Sequence, residues 1–206
     1  MSAARVIVAI ARPIVHLLFP FEVQGKENIP AKDDTRQLVV CSNHISLVDP
    51  AFIICTLPKH VYFMAKAEIF KSKIGNWFFG KVIGAFPVDR GKGDISALEV
   101  ATDLVQNQKL LGIFPEGTRS KDGTLGQFKS GAAYIVQHTG ADVLPVCICT
   151  KTMKVKLFRK TIVRFGPVIT REEMGYTENE TPNLRKATRV LAARVKALHD
   201  EVFPCP

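Results

Sequence analysis

The run Asn43-His44-Ile45-Ser46-Leu47-Val48-Asp49 places an imidazole and a carboxylate five positions apart, with four residues between them, in the pattern H-x-x-x-x-D. Histidine exchanges a proton near neutral pH, and a nearby carboxylate can fix its tautomer and stabilise the imidazolium that forms. The pair suits general-base chemistry, with His44 taking the proton and Asp49 orienting the ring. Asp49 ahead of Pro50 serves equally well as a helix cap followed by proline at the first helical position.

A second run, Phe114-Pro115-Glu116-Gly117-Thr118-Arg119-Ser120, points to an anion. Arg119 offers a planar fork that matches phosphate, Gly117 lets backbone approach closely, and Thr118 adds a hydroxyl donor. Pro-Glu-Gly-Thr also makes a plausible tight turn, although a turn alone requires neither Glu116 nor Arg119. Between these runs, Gly84-Ala85-Phe86-Pro87-Val88-Asp89-Arg90-Gly91-Lys92 ends in cations beside glycines. Arg90 and Lys92 are either a second phosphate-binding cluster or an exposed basic turn.

The elements that must position these side chains are legible as apolar runs. Strands are expected at 38–41, 61–65, 85–88, 110–114, 143–149 and 161–165. Helices are expected from Asp49-Pro50 onward and at 67–82, 94–108, 130–139 with Gly140 as the stop, and 182–202 with Thr181 as cap and Pro182 at the first helical position. Strands alternating with helices imply an α/β fold: a single domain with a mainly parallel central sheet flanked by helices. The two candidate runs then leave strands at the carboxyl edge of that sheet, where ligands commonly bind.

The chain of 206 residues, 47% hydrophobic and 23% charged, has a globular composition with room for one domain. Its net charge of +9 favours anionic partners. Five cysteines form no C-x-x-C pair, so neither a disulfide framework nor a zinc site is suggested. Cys147 and Cys149 should share one face of a strand as small buried side chains.

Residues 3–19 are mostly apolar but include Arg5, Arg12 and His16, and as a helix they would reach only about 26 Å, short of a bilayer. The three basic residues fall within about 40° on a helical wheel, giving a narrow basic stripe on an amphipathic membrane-surface helix. A signal peptide ending at Ala9-Ile10-Ala11 is disfavoured by its short apolar run and by Arg12-Pro13, and plain core packing is the other reading. Pro13 should kink the helix or start a second one. The expected division is an interfacial helix segment at 1–22 and a catalytic domain at 23–206.

Taken in order, the three runs resemble the motifs of the glycerolipid acyltransferase family. Asn43 to Asp49 matches N-H-x-x-x-x-D, Phe114 to Ser120 matches F-P-E-G-T-R-S in full, and Leu144-Pro145-Val146 is similar to a fourth motif, V-P-V. Arg90 matches the Arg of the second motif, with Pro87 in place of a more usual aliphatic residue. The motifs lie within 43–148, about half the chain.

The resemblance implies an enzyme of phospholipid biosynthesis that moves a fatty acyl group from an acyl thioester to the free sn-2 hydroxyl of lysophosphatidate, giving phosphatidate. Glycerol-3-phosphate or another lysolipid is the alternative acceptor. It further implies His44 as general base with Asp49 orienting it, and Arg90, Lys92, Glu116, Gly117, Thr118 and Arg119 at the substrate phosphate. Acyl-carrier protein or acyl-coenzyme A would be co-substrate, with no cofactor and no metal. The enzyme would work peripherally or monotopically on the cytoplasmic face of the cell membrane.

Other classes fit less well. No G-x-S-x-G nucleophile elbow occurs. The segment from Gly75 to Gly80-Lys81 approaches a P-loop, but Val82 stands where Ser or Thr should hold magnesium. The charge is not interleaved with aromatics as in a nucleic-acid interface, so nucleic acid is not an expected partner.

Overall fold

The computed structural model describes residues 3–88, 95–152, 154–176 and 183–202. Helix α1 (Ala3–Leu18) leads into strand β1 (Phe21–Gln24), followed by β2 (Leu38–Ser42), α2 (Asp49–Thr56) and β3 (Val61–Lys66). Next come α3 (Lys73–Gly75), β4 (Ala85–Val88), α4 (Ile95–Gln106) and β5 (Leu110–Ile113). The chain then forms α5 (Gly131–Thr139), β6 (Asp142–Cys149), β7 (Thr161–Phe165) and α6 (Leu184–Val202). The strands make a seven-stranded sheet in the order β1-β7-β6-β2-β5-β3-β4, parallel throughout except between β6 and β7. The result is the single α/β domain expected.

The apolar runs form strands because both faces of the sheet are covered, which favours continuous hydrophobic sequence over alternation. Val39, Cys41, Leu111, Ile113, Val143, Cys147 and Cys149 face a layer with side chains from α4, α5 and α6. Leu38, Val40, Leu110, Leu144, Val146 and Ile148 face the opposite layer, with α2 and the inner side of α1. Val8, Val15 and Phe19 seat α1 on this second layer. Pro87 lies in β4, an edge strand, where a missing ladder donor is tolerated.

Four local expectations are corrected. The segment 67–82 is not one helix: a 3-10 turn at Ala67–Phe70 is followed by α3 and then a π-helical turn at Asn76–Val82. A Cβ on Gly75 would sit 2.2 Å from the Ile69 carbonyl oxygen, so the chain folds back on itself in a way that needs glycine. Pro13 lies inside α1, so of the two alternatives, a kink or a second helix, the second helix does not form. Ala9, whose carbonyl loses its usual partner at Pro13, is exposed and can be solvated. Strand β1 was not anticipated, and the expected boundary at 22/23 falls inside it. Finally, Asp49 is the first residue of α2 and Val48 occupies the cap position, so the aspartate side chain is free for other work. The expected cap at Thr181-Pro182 lies outside the described residues, as does the side chain of Arg5.

Candidate active site

β2 and β5 are adjacent parallel strands, so the loops that follow them emerge side by side at the carboxyl edge of the sheet. Asn43 anchors the first loop: its side-chain amide donates to the Ile148 carbonyl at 2.9 Å and its carbonyl accepts from the Ile148 N–H at 2.7 Å. The chain then turns so that His44 is nearly enclosed. Asp49, fully buried, reaches back from the first turn of α2. Its Oδ2 lies 2.8 Å from His44 Nδ1 and accepts the Ile45 and Ser46 N–H groups, each at 2.7 Å. A carboxylate oxygen with two backbone donors is an acceptor, so the ring proton belongs on Nδ1 and Nε2 keeps its lone pair. Burial pushes the Asp49 carboxyl above its ordinary range, while the His44 contact and the two amides oppose that rise.

The second run folds around the first. Phe114 stacks on the His44 ring with centroids 4.2 Å apart, and Phe63 from β3 stacks on Phe114 at 5.5 Å. Gly117 closes the turn with its N–H donating to the Phe114 carbonyl at 3.0 Å, and its φ of 72° is the left-handed conformation that favours glycine. Glu116 points inward: Oε1 accepts the His44 N–H at 2.9 Å and Oε2 accepts the Gly126 N–H at 3.0 Å. The Ser120 N–H in turn donates to the His44 carbonyl at 2.8 Å. Burial raises the Glu116 carboxyl, again opposed by its two amide donors.

The sequence-derived residues thus divide. His44 and Asp49 form a bonded pair, and Glu116 and Gly117 shape the turn beside it. Thr118 and Arg119 are exposed beyond that turn, while Arg90 and Lys92 lie outside the described residues. Both Glu116 oxygens already accept backbone donors, so its side chain holds the His44 and Gly126 loops together. Sequence reasoning missed the ring stack and also Lys129, whose Nζ lies 2.9 Å from where a Gly117 Cβ would be. The Phe114 position within the run was a usable signal for stacking; nothing marked Lys129, which arrives from a later loop.

Cys41, one strand residue from the site, is buried and its thiol is pushed up to about 12 by that burial and by the Glu116 charge, so it is no ready nucleophile. Cys147 and Cys149 are buried on one face with sulfurs 3.1 Å apart, and both are free thiols. Among the described residues no group of three or more His, Cys, Asp or Glu side chains is placed to hold a metal ion.

Comparison with known proteins places the chain in a named family. The acyltransferase family model matches residues 20–149, which include both runs. This chain belongs to the acyltransferase family. It is 30% identical over 185 residues to the 1-acyl-sn-glycerol-3-phosphate acyltransferase of Bacillus subtilis, covering 88% of this chain and 89% of the relative. It is 35% identical over 136 residues to the chloroplastic 1-acyl-sn-glycerol-3-phosphate acyltransferase BAT2 of Brassica napus, covering 64% of this chain and 38% of that protein. The chain therefore spans well under half the length of this plant relative. The fold is similar to the crystal structure of the 1-acyl-sn-glycerophosphate acyltransferase PlsC from Thermotoga maritima, with a TM-score of 0.71 and 25% identity. That similarity covers 95% of this chain and 81% of the other.

Proposed function

We propose that this acyltransferase moves a fatty acyl group from an acyl thioester to the free sn-2 hydroxyl of lysophosphatidate, giving phosphatidate. The observation that carries the reading is the His44–Asp49 pair. Its Nδ1–Oδ2 bond of 2.8 Å leaves Nε2 as the base for a substrate hydroxyl. The attacking oxygen comes from the lysolipid, so the protein needs no acyl-enzyme nucleophile, in keeping with the raised thiol of Cys41. His44 takes the hydroxyl proton as the oxygen adds to the thioester carbonyl, and the thiolate of acyl-carrier protein or coenzyme A leaves and is protonated. Asp49 stabilises the imidazolium between these steps. No resident cofactor enters this scheme.

Arg119 and Thr118 are proposed to hold the phosphate at the mouth of the turn, with Lys129 across Gly117 and with Arg90 and Lys92 as further cations. The names of the relatives in Bacillus subtilis and Brassica napus support lysophosphatidate as acceptor.

Work at a bilayer surface is supported by α1. Among the described residues no helix is long and apolar enough to cross a membrane. Yet Val6, Ile10, Ile14, Leu17 and Leu18 are exposed on one side of α1 while Val8, Val15 and Phe19 pack inward. Ile74, Trp77 and Phe78 add exposed apolar area on the segment α1 packs against. Within segment 1–22, α1 is thereby proposed to rest at the interface and 23–206 to carry the chemistry, on the cytoplasmic face where thioester donors are made.

Thiol release from palmitoyl-coenzyme A and palmitoyl-carrier protein, with lysophosphatidate or glycerol-3-phosphate as acceptor, tests the reading. Release should require lysophosphatidate, and His44→Ala should lower it by about 10² to 10⁴-fold while circular dichroism stays native. Near-normal turnover by a folded His44→Ala protein would remove His44 from the mechanism.

A further inference from the structure

The connection between β6 and β7 carries Lys151, Lys154, Lys156, Leu157, Phe158, Arg159 and Lys160. It leaves β6 at Cys149 and enters β7 at Thr161, and these ends pair at Cys149↔Ile162. In the parallel neighbour β2, Ser42 pairs with Val146, so the loop departs from the same sheet edge as His44. Phe21 pairs with Thr161, which brings the end of α1 to that edge as well. Two bonds fasten the loop there: Phe158 N–H donates to the Leu18 carbonyl at 2.8 Å, and Thr161 N–H donates to the Pro20 carbonyl at 2.8 Å.

Val155 packs on the core, but Leu157 and Phe158 project with 55% and 67% of their surfaces exposed. Phe158 holds a φ of 58°, a left-handed conformation rare for a bulky side chain, and does so at the loop's tip beside Leu18. Lys160 pairs with Glu22. Lys151, Lys154, Lys156 and Arg159 are exposed, and none forms an ion pair with another described residue. Two large apolar side chains inside a collar of free cations, continuous with the aliphatic face of α1, match an anionic bilayer: the tip meets acyl chains while the collar meets headgroups.

We propose that this loop is a second membrane-insertion element, with Leu157 and Phe158 entering an anionic phospholipid leaflet. Together with α1 it would fix the rotation of the enzyme so that the His44 edge faces the lipid. The inference rests on the membrane-surface reading given above. An acidic protein could also meet the cations but would have no use for the exposed Leu157 and Phe158 pair, which is why lipid is favoured.

The test uses the full chain with Trp77→Phe and Phe158→Trp, which leaves one indole at the tip. It is mixed with vesicles of phosphatidylcholine containing about one third phosphatidylglycerol, some carrying bromine on the acyl chains. The expected result is a blue shift and quenching by acyl-chain bromine, with Leu157→Ser/Phe158→Ser in the native background weakening vesicle affinity at least about tenfold. Protein that co-sediments with vesicles while the new indole stays water-exposed and unquenched overturns the loop proposal and leaves membrane association intact. No co-sedimentation at all overturns both. If Leu157→Ser/Phe158→Ser keeps its vesicle affinity but loses turnover with acyl-carrier protein in detergent, the loop is instead a protein-docking surface and the proposal fails.

Discussion

Glu116 holds two backbone amides that belong to different loops, one at His44 and one at Gly126. Its two oxygens are matched to two donors, so Glu116→Gln turns an amide NH₂ toward one of them and should destabilise the protein by about 1 to 3 kcal/mol. The pH dependence should change too. Burial raises the folded carboxyl above its ordinary 4.5, so from pH 4.5 upward the folded chain retains a proton the unfolded chain has lost. Stability from this group therefore falls as pH rises through that window. Urea titrations should show a flatter profile for Glu116→Gln than for wild type from pH 4.5 upward, and parallel profiles would rule out this account. Arg119 belongs to the opposite case: it is exposed, so its removal should leave stability unchanged. On the proposed function, Arg119→Ala instead raises the KM for lysophosphatidate by about tenfold, the lower range for a charged hydrogen bond open to solvent. The types of His44, Asp49, Glu116 and Arg119 were legible in the sequence. The inward turn of Glu116 was not, because its partners are backbone amides and leave no mark on residue identity.

At the scale of elements, β5 shows how a strand controls the site through packing. Gly112 faces the Phe63 ring so closely that an added Cβ would lie 2.3 Å from Phe63 Cε1. Phe63 stacks on Phe114, and Phe114 stacks on His44. Gly112→Ala must therefore displace a ring stack that ends on the His44 imidazole. It should cost about 1 to 3 kcal/mol in thermal or urea unfolding and, on the proposed function, lower kcat more than it raises KM, since it is the proposed base that moves rather than the proposed phosphate site. Unchanged kcat in a folded Gly112→Ala protein would show that the stack does not position His44. The strand itself was readable from Leu110 to Phe114, as were β2 and β6, because burial on both faces makes each an apolar run, while β3, β4 and β7, buried mainly on alternate residues, showed as short runs rich in β-branched and aromatic residues. β1 escaped notice because it has only four residues, of which Glu22 and Gln24 are polar. The broken segment after β3 escaped because its apolar spacing imitates a helix, while the close approach of Gly75 to Ile69 is a tertiary fact.

For the whole molecule, one antiparallel step decides where everything faces. Because β7 reverses direction against β6, the β6–β7 connection and the link from α1 to β1 both arrive at the edge that carries His44. On the proposed function this arrangement is useful, since the C-terminal end of α1 and His44 lie at one end of the sheet, where a lipid acceptor held in the bilayer surface would meet both. The amphipathic character of α1 was readable from spacing. Which side remains free was not, because it depends on Val8, Val15 and Phe19 finding the core. Ile10, Ile14 and Leu17 are exposed, so Ile10→Ser/Ile14→Ser/Leu17→Ser should leave unfolding nearly unchanged, within about 0.5 kcal/mol per site. At roughly 1 kcal/mol for each partly buried side chain, the same variant should lose about 3 kcal/mol of vesicle binding, more than a hundredfold. Raising salt should weaken wild-type binding to anionic vesicles by screening the cations, yet leave the gap between wild type and variant in place, because the apolar contribution is not screened. If salt closes that gap, α1 holds the surface by charge alone and its exposed aliphatic side must serve another partner.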